Sequence, residues 1–259
     1  MTLVAAAAVS LPVTLLAWRL NTVTASGGVA AFAVGVAVLW GGSWPGGMVL
    51  ASFFISSNLV ARATPDLAGS FLDAKGQRRD PFQVLANGGV AAAGALIERN
   101  HPGAGAWTLT ASLATAAADT WATSLGALNP LWPRLLAIGK QVPPGTSGGM
   151  SWYGTGGAAA GAVLVAGTGA LAFHDTLLLP VATGVGFVGM VLDSAAGALI
   201  QARYHCPACE QPCERPLHRC GARAVLIGGI RWLNNDGINA LATLAGGFAG
   251  WLAWAWASP

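Results

Sequence analysis

Residues 107–128 read WTLTASLATAAADTWATSLGAL, an apolar run that is long enough to cross a bilayer and whose single charge is Asp119. Placing an ionised carboxylate at membrane depth costs roughly 2.5–3.5 kcal/mol, so an intramembrane acid indicates a functional site. Asp193 repeats the pattern within Thr176–Ala202, and Asp236 stands at the start of the last apolar run. The three acids predict that a helix bundle holds a cation or a charged substrate. The alternative is that each carboxylate is buried and hydrogen-bonded to neighbouring Ser and Thr.

The composition indicates a membrane protein. Of the 259 residues, 54% are hydrophobic and only 9% are charged, whereas about a quarter of the residues of a soluble domain are charged. Glycine and alanine are abundant, which favours close packing of helices in lipid. We therefore predict the fold class all-α, a polytopic integral membrane helix bundle with about 7–8 transmembrane helices. Residues 1–259 are expected to form a single transmembrane domain with a Cys/His-containing cytoplasmic loop at about 203–233.

Eight apolar segments are candidate spans, although several are shorter than the ~20 residues that an upright transmembrane helix needs. They are Leu3–Trp18, Gly28–Trp44, Gly47–Ala61, Phe82–Ile97, Ala106–Leu128, Ser151–Phe173, Thr176–Ala202 and Gly237–Trp256. Only Pro45–Gly46 separates the second segment from the third, which predicts a tight hairpin. The first segment lacks a basic region and a cleavage site, so we interpret it as a helix and not as a cleaved signal.

The distribution of basic residues predicts the orientation. The odd-numbered loops carry Arg19, Arg62, Lys75, Arg78, Arg79, Arg134, Lys140, Arg203, Arg215, Arg219, Arg223 and Arg231. The loops on the opposite side carry only Arg99. Because cytoplasmic loops are enriched in Lys and Arg, we expect the odd loops in the cytoplasm and both termini outside, in a bacterial inner membrane. Every chemically suggestive segment would then open to the cytoplasmic face.

The first suggestive motif surrounds Asp119. On a helix, Asp119 and Thr123 share a face at a spacing of four residues, and Ser124 lies close by. Mg²⁺ is usually bound by one or two carboxylates together with waters and substrate phosphates. The motif therefore predicts part of a Mg²⁺ site.

The second motif is a Gly-rich loop that follows Lys140. A Gly-rich loop that runs into a helix presents backbone N–H groups and the positive end of the helix dipole to an anion. The residues predicted to cradle phosphate are Gly145, Thr146, Ser147, Gly148 and Gly149. Lys140 is predicted to reach a phosphate as a point charge. The P-loop pattern GxxxxGK[ST] is absent, and a simple turn is the alternative.

Further polar residues recur near the same predicted face. Asp193, Gly197 and Gln201 form one stripe of a helix, in which the glycine leaves a gap for a ligand or for a neighbouring backbone. Asn234, Asn235 and Asp236 form an amide–carboxylate patch at the start of the last helix, for which helix capping is the alternative. Three more residues are predicted to contribute to the site, Asn87 as a polar group and Arg78 and Arg79 as a phosphate clamp, for which positive-inside topology is the alternative.

All four cysteines lie in one segment, CPACEQPCERPLHRC, which covers residues 206–220. Cys-x₂-Cys followed by His-x-Cys offers a tetrahedral zinc set of Cys206, Cys209, His218 and Cys220, with Cys213 as a spare ligand. Disulfides are not expected in a cytoplasmic loop, so the alternative is a group of free thiols. In either case we expect the segment to brace the loop and not to perform chemistry.

The motifs together resemble the transmembrane protein 19 family, which includes the plant phytyl-phosphate kinases. The resemblance is carried by NTVTASGGVAAFAVG (21–35), FFISS (53–57), QVLANGG (83–89), DTWATSLG (119–126), PPGTSGG (143–149), Asp193-Ser194, HRCG (218–221) and NND (234–236). Similar proteins often carry Glu at the position of Leu125, so this chain lacks one carboxylate there. A looser similarity exists to CTP-using polyprenol kinases and phosphatidate cytidylyltransferases.

The resemblance implies an integral membrane kinase that converts an isoprenoid monophosphate into the diphosphate. Asp119, Asp193 and Asp236 would then hold Mg²⁺, and a nucleoside triphosphate, with CTP favoured, would be the donor. The expected partners are the lipid bilayer, the isoprenoid phosphate and the nucleotide, but no nucleic acid. The leading alternative is an ion-coupled transporter, because intramembrane acids and Gly/Pro-broken segments also occur in carriers. A structural membrane protein is a third reading, which leaves the three acids unexplained.

Overall fold

A computed structural model describes residues 1–64, 78–135, 139–144 and 146–258. Within these residues the chain forms seven helices. They are α1 (Leu3–Arg19), α2 (Ala25–Ala63), α3 (Pro81–Asn100), α4 (Ala104–Gly126), α5 (Trp152–Ala172), α6 (Leu178–Leu199) and α7 (Asn235–Ala257). The predicted all-α helix bundle is confirmed, and each helix falls on a predicted apolar segment. Two residues named in the sequence predictions, Lys75 and Gly145, lie outside the described residues.

Helix α2 turns back on itself at Ser43 and forms two antiparallel arms, residues 25–42 and 44–63. Ser43 has φ 53° and ψ −153°, which lies outside the helical region. The guanidinium of Arg62 donates a hydrogen bond to the carbonyl of Leu20, so both ends of α2 lie at the same end of the bundle. A straight helix of 39 residues would separate its ends by about 58 Å. The predicted hairpin is confirmed.

The turn of this hairpin lies earlier in the chain than the sequence predicted. We expected Pro45–Gly46 to form the turn, but Ser43 forms it. Proline has no backbone N–H, and the first turn of a helix is the place where that N–H has no intrahelical partner. Pro45 therefore lies in the first turn of the second arm of α2.

Helix α4 lies at the centre of the bundle, because five other helices pack on it. All its residues from 104 to 118 are buried. The hydroxyls of Thr108 and Thr115 donate to carbonyls one turn earlier, each over 2.9 Å. Polar side chains that are satisfied in this way can be buried among helices. Protein, and not lipid, therefore surrounds the first two-thirds of α4.

Four of the described helices, α2, α5, α6 and α7, are long and apolar enough to cross a membrane. Helix α1 is apolar but has only 17 residues. Helix α4 is less apolar than these four helices. Its central position explains the difference, since its Ser and Thr face neighbouring helices. The number of helices that span the bilayer stays a prediction.

Glycines allow the neighbouring backbones to approach α4 closely. A Cβ atom on Gly161 of α5 would stand 2.9 Å from the carbonyl oxygen of Ala117. A Cβ atom on Gly186 of α6 would stand 2.8 Å from the carbonyl carbon of Ala114. Close approach at small residues is how helices gain packing energy in lipid. The abundance of glycine therefore has a structural cause.

Replacing Gly186 by Ala is expected to lower the melting temperature, because the new methyl group would overlap the backbone of α4. Overpacking typically costs about 1–3 kcal/mol, which corresponds to a fall of about 2 °C or more in a chain of this size. Gly184 is the matched control, since it is exposed on the same helix and a Cβ there meets none of the described residues within 4 Å. Alanine is also the better helix former. Thermal unfolding in detergent would contradict this packing if the two variants melted alike.

Short strands occur in the polar loops at one end of the bundle. A two-stranded sheet pairs β1 (Arg134–Leu135) with β2 (Gly149–Met150). A three-stranded antiparallel sheet in the order β4-β3-β5 consists of β3 (Arg203–Cys206), β4 (Gln211–Cys213) and β5 (Val225–Gly228). We call residues 203–228 the ribbon. These strands are too short to show the alternation of apolar and polar residues by which a strand is predicted.

The two ends of the bundle differ in chemistry. At one end, Trp107, Leu178 and Trp254 pack together where α4 and α6 begin and α7 ends. The opposite end carries both sheets and the starts of α3, α5 and α7. The suggestive loops lie together at this second end, and that they open to the cytoplasmic face stays a prediction.

Candidate functional site

The polar end of the bundle encloses a cavity of about 640 Å³, a size typical of small-molecule sites. Every helix from α2 to α7 contributes to its wall. The predicted site residues in the wall are Arg79, Asn87, Asp119, Thr123, Ser124, Thr146, Ser147, Gly148, Gly149, Asp193, Asn235 and Asp236. Lys140 is exposed and lies outside the wall. Folding thus brings together residues that are far apart in the sequence.

Three different helices supply the three acids. Asp119 lies on α4, Asp193 on α6 and Asp236 in the first turn of α7. Asp193 and Asp236 are each 7% exposed, and Asp119 is half-buried. The carboxylates of Asp119 and Asp193 are close enough for their charges to interact. Because like charges with little access to water repel each other, a bound cation would stabilise this arrangement.

Asp193 is not satisfied by neighbouring hydroxyls, which was the alternative to a functional role. Its Oδ2 atom is buried and has no hydrogen-bond partner among the described residues, and neither has Oδ1 of Asn239. The hydroxyl of Ser194 is directed to the sulfur of Met190, 3.8 Å away. An unsatisfied buried oxygen costs about 1–3 kcal/mol, and native proteins contain few of them. Both residues line the cavity, so a ligand bound there would supply the missing partners.

Helix capping explains only one residue of the patch at the start of α7. The side-chain oxygen of Asn234 accepts a hydrogen bond from the Gly237 N–H over 3.0 Å, as an N-cap does. The side chains that follow have a different location, since Asn235, Asp236 and Asn239 all contribute to the cavity wall. The patch therefore offers the cavity more polar groups than a cap requires.

Three helix N-termini meet at the cavity. Asp80 caps α3, Ser151 caps α5 and Asn234 caps α7. The first turns of these helices reach the wall through residues such as Gln83 and Gly154. Helix N-termini carry partial positive charge and favour anions. The cavity thus combines acids that favour a cation with helix ends that favour an anion, which suits a metal–phosphate complex.

Arg79 is the arginine of its loop that reaches the cavity. Its guanidinium lies over the rings of Phe53 and Phe54, 5.3 and 5.8 Å from their centroids. Burial lowers the pKa of Arg79 to about 10, so the side chain is still charged at neutral pH. Arg78, which was predicted to clamp phosphate together with Arg79, donates instead to the carbonyl of Val23 over 3.3 Å.

The described part of the Gly-rich loop closes on itself. The Gly149 N–H donates to the carbonyl of Thr146 over 2.9 Å, and the Thr146 N–H donates to that of Pro143 over 3.2 Å. Gly149 then enters strand β2, and α5 begins only at Trp152. The N–H groups of Thr146 and Gly149, which were predicted to bind phosphate, therefore form hydrogen bonds within the loop.

The Gly-rich loop packs tightly against α6. Gly148 has φ +79°, and a Cβ atom there would stand 2.6 Å from the carbonyl oxygen of Ser194. The hydroxyl of Ser147 donates to Oε1 of Gln201 over 2.7 Å. A Cβ atom on Gly197 would overlap Ser147. The gap that we predicted at Gly197 therefore admits the neighbouring loop and not a ligand.

Several residues of the wall were not predicted as site residues. Glu214 is one of them, and its Oε1 accepts a hydrogen bond from Nε2 of Gln201 over 3.2 Å. Glu214, Arg215, Arg231 and Asn58 all contribute to the wall. In the sequence analysis, Arg215 and Arg231 were used only to predict the orientation of the chain. Glu214 is a single acid in a charged loop and belongs to no motif with a recognisable spacing. Sequence reasoning could have found Glu214, Arg215 and Arg231 only through their position beside the cysteine segment or the motif at 234–236, and Asn58 only through its position beside the motif at 53–57.

Replacing Glu214 by Gln is expected to stabilise the protein most at alkaline pH. Burial raises the pKa of Glu214 from 4.5 to about 7, so the folded protein keeps a proton that the unfolded chain has already lost. This contribution to stability is complete below about pH 4.5, falls between about pH 4.5 and 7, and stays low above. Glutamine keeps an acceptor for Gln201 and cannot ionise.

Melting temperatures of wild type and Glu214→Gln at about pH 5 and about pH 8 check this expectation. The variant should melt higher than wild type at the alkaline pH, and the difference should shrink at the acidic pH. A difference that does not change with pH would show that Glu214 titrates as an ordinary exposed acid.

The predicted zinc ligands come together in the ribbon. Ligand atoms within 4.8 Å of one another are supplied by Cys206, Cys209, His218 and Cys220. Cys220 Sγ lies 3.7 Å from Cys206 Sγ and 3.1 Å from His218 Nδ1. Cys213, the predicted spare ligand, lies apart with its sulfur 3.5 Å from the carbonyl of Arg215.

Known proteins resemble this chain over most of its length. The profile of the family described as integral membrane protein DUF92 matches residues 8–247. Protein PGR of Arabidopsis thaliana is 27% identical over 262 residues, which cover 89% of this chain and 88% of that protein. An uncharacterized membrane protein of Methanocaldococcus jannaschii is 31% identical over 139 residues, which cover 54% of this chain and 47% of that protein. No solved structure matches the chain significantly.

The family match includes every part of the site. It begins within α1 and ends within α7, so the cavity wall and the ribbon both lie inside it. The apolar helices agree with the integral membrane character of the family. The chain therefore belongs to the DUF92 family of integral membrane proteins.

Proposed function

We propose that this protein is an integral membrane prenyl-phosphate kinase, a Mg-dependent phosphotransferase that converts a phytyl-phosphate-like isoprenoid monophosphate into the diphosphate. The observation that supports the proposal most is the meeting of Asp119, Asp193 and Asp236 in one cavity with three helix N-termini. Acids alone would suit a cation, and helix ends alone would suit an anion. Both together suit a nucleoside triphosphate bound as its magnesium complex.

The donor set of the cavity fits Mg²⁺. The three carboxylates are hard oxygen ligands, and the buried Oδ2 of Asp193 has no hydrogen-bond partner among the described residues. Mg²⁺ is typically held by one or two carboxylates and by substrate phosphates. Asp119, Asp193 and Asp236 would hold the ion, which when bound neutralises charge on the transferred phosphoryl group.

Other residues of the wall would position the two phosphate groups. Arg79 and Arg231 would balance the negative charge of donor and acceptor. The amides of Asn87 and Asn235 would donate to phosphoryl oxygens, and the N-terminus of α5 would face the donor phosphates. Lys140 has no role in this proposal, because its exposed side chain lies outside the wall. Positioning and charge balance supply most of the catalysis in phosphoryl transfer.

The proposed reaction is a direct phosphoryl transfer. An oxygen of the isoprenoid monophosphate attacks the γ-phosphorus of the donor and forms a new P–O bond. The bond between the γ-phosphorus and the β,γ-bridging oxygen breaks, and the nucleoside diphosphate leaves with that electron pair. CTP is the favoured donor because of the looser similarity to CTP-using polyprenol kinases.

The position of the cavity at the polar end of a membrane bundle supports an amphiphilic acceptor. The isoprenoid chain would stay in the bilayer against the helices, while its phosphate would enter the cavity. The basic loops at this end suggest that it faces the cytoplasm of a bacterial inner membrane. Nucleoside triphosphates are available on that side.

The proposal is tested on detergent-purified protein with Mg²⁺, radiolabelled CTP and ATP in turn, and phytyl or geranylgeranyl monophosphate. We expect labelled diphosphate that is lost on chelation and in Asp119→Asn. Asp175→Asn is the matched control, because Asp175 lies at the opposite end of the bundle, where its Oδ2 accepts from the Trp107 indole over 2.7 Å. Its Oδ1 also accepts from the Leu177 N–H over 3.1 Å, so an asparagine keeps one of the two hydrogen bonds, and neither lies near the cavity.

Absence of turnover with every donor and acceptor would overturn the kinase proposal. Uptake of an anionic substrate by sealed vesicles, driven by an ion gradient, would then favour the transporter. Unchanged turnover in Asp119→Asn would remove Asp119 from the metal site, even if the kinase activity itself were found.

A further inference from the structure

Two sulfur atoms of the ribbon are spaced as in a zinc site. Cys206 Sγ and Cys220 Sγ lie 3.7 Å apart, and two thiolates bound to one tetrahedral zinc at 2.3 Å are separated by about 3.8 Å. The four cysteines form no disulfide. Cys209 and His218 complete a set whose ligand atoms all lie within 4.8 Å of one another.

The backbone around these ligands holds them in tight turns. Each pair of ligands is followed by a residue with positive φ, Glu210 at 52° and Gly221 at 85°. The His218 N–H donates to the carbonyl of Ala222 over 3.0 Å, and the Gly221 N–H donates to the carbonyl of His218 over 2.9 Å. Hydrogen bonds of this kind orient the groups that bind a metal. The strained φ of Glu210, a residue that is not glycine, indicates that the surrounding structure requires this turn.

We propose that Cys206, Cys209, His218 and Cys220 bind one structural Zn²⁺. Four protein ligands leave no open position, which distinguishes a structural zinc site from a catalytic one. The three thiols would lose their protons to solvent on binding, and the imidazole would bind as the neutral base. Arg219 and Arg223, in the same segment, would offset the negative charge of the resulting complex.

The zinc site would hold one wall of the cavity in place. Residues 214–217 lie between Cys213 and His218, and all four contribute to the wall. At their N-terminal end, residues 214–217 follow strand β4. This strand pairs with β3, and β3 ends at the ligand Cys206. On the other side they lead directly to His218. Zinc would thus tie both ends of the segment, and its loss would loosen this part of the cavity.

The test is the zinc content of the full-length protein purified in detergent without chelators. We expect one zinc per chain in wild type and in Cys213→Ser, and a loss of zinc in Cys209→Ser. The two variants separate metal binding from packing, because Cys213 is only 3% exposed whereas Cys209 is exposed. Packing alone predicts that Cys213→Ser is the more damaging change. A metal site predicts the reverse.

Cobalt provides a second readout that does not depend on the stability of any variant. Wild type loaded with Co²⁺ should show the visible bands of a tetrahedral site and thiolate-to-metal charge transfer. The proposal is overturned if wild type binds neither metal, or if Cys209→Ser and Cys213→Ser retain equal amounts. Turnover is not measured, so these outcomes are independent of the proposed kinase activity.

Discussion

The Asp193→Asn variant should lose activity while it gains thermal stability. The carboxylate of Asp193 is buried, interacts with the charge of Asp119 and leaves Oδ2 without a hydrogen-bond partner among the described residues. A neutral amide of the same size removes the like-charge repulsion, so the melting temperature should rise in the absence of ligand. Removing one preorganised electrostatic group from an active site typically lowers kcat by about 10²–10³-fold.

Opposite signs of the two effects distinguish a functional residue from a structural one. A structural Asp193 would give a variant that melts below wild type, which would contradict the assignment. Ligands that bind the folded state raise its melting temperature, so Mg²⁺ with nucleotide should stabilise wild type and stabilise Asp193→Asn much less. Asp175→Asn is again the matched control, and it should respond to Mg²⁺ and nucleotide as wild type does.

The Gly148→Ala variant should lose both activity and stability. A Cβ atom at Gly148 would stand 2.5 Å from Cβ of Ala198 and 2.6 Å from the carbonyl oxygen of Ser194. The loop and α6 would have to separate, at a cost of about 1–3 kcal/mol. Ser194 adjoins Asp193, and a displacement of about 1 Å at a catalytic group can lower the rate 10²-fold. We therefore expect a loss of about that size in kcat and a clearly lower melting temperature.

Gly139→Ala isolates the contribution of the contact with α6. Gly139 also has positive φ, +64°, but a Cβ atom there meets nothing within 4 Å in the part of the chain that the structure describes. Both variants are therefore destabilised by roughly 1 kcal/mol, because alanine is less stable than glycine in the left-handed region. Only the new Cβ atom of Gly148→Ala would also overlap α6. Activity assays and thermal unfolding of the two variants check the expectation. Equal losses would show that backbone strain alone is responsible.

The fold class, the helical segments and several members of the site could be predicted from the sequence. Each apolar run near membrane length predicted a helix, because lipid leaves a spanning backbone few alternatives. The rarity of charge within those runs singled out Asp119 and Asp193. The spacing of Cys206, Cys209, His218 and Cys220 predicted a set that the ribbon does bring together. Each of these predictions depends on residues that are close together in the chain, so a short stretch of sequence is enough to make it.

The tertiary structure alone decided which residues share the cavity. It separated Arg79 from Arg78, placed Lys140 outside the wall and added Glu214, Arg215 and Arg231. It also filled the gap at Gly197 with the Gly-rich loop. These outcomes depend on contacts between helices and loops that are distant in the chain. A sequence determines where a helix begins and which side chains it carries, but only packing determines which of them face each other.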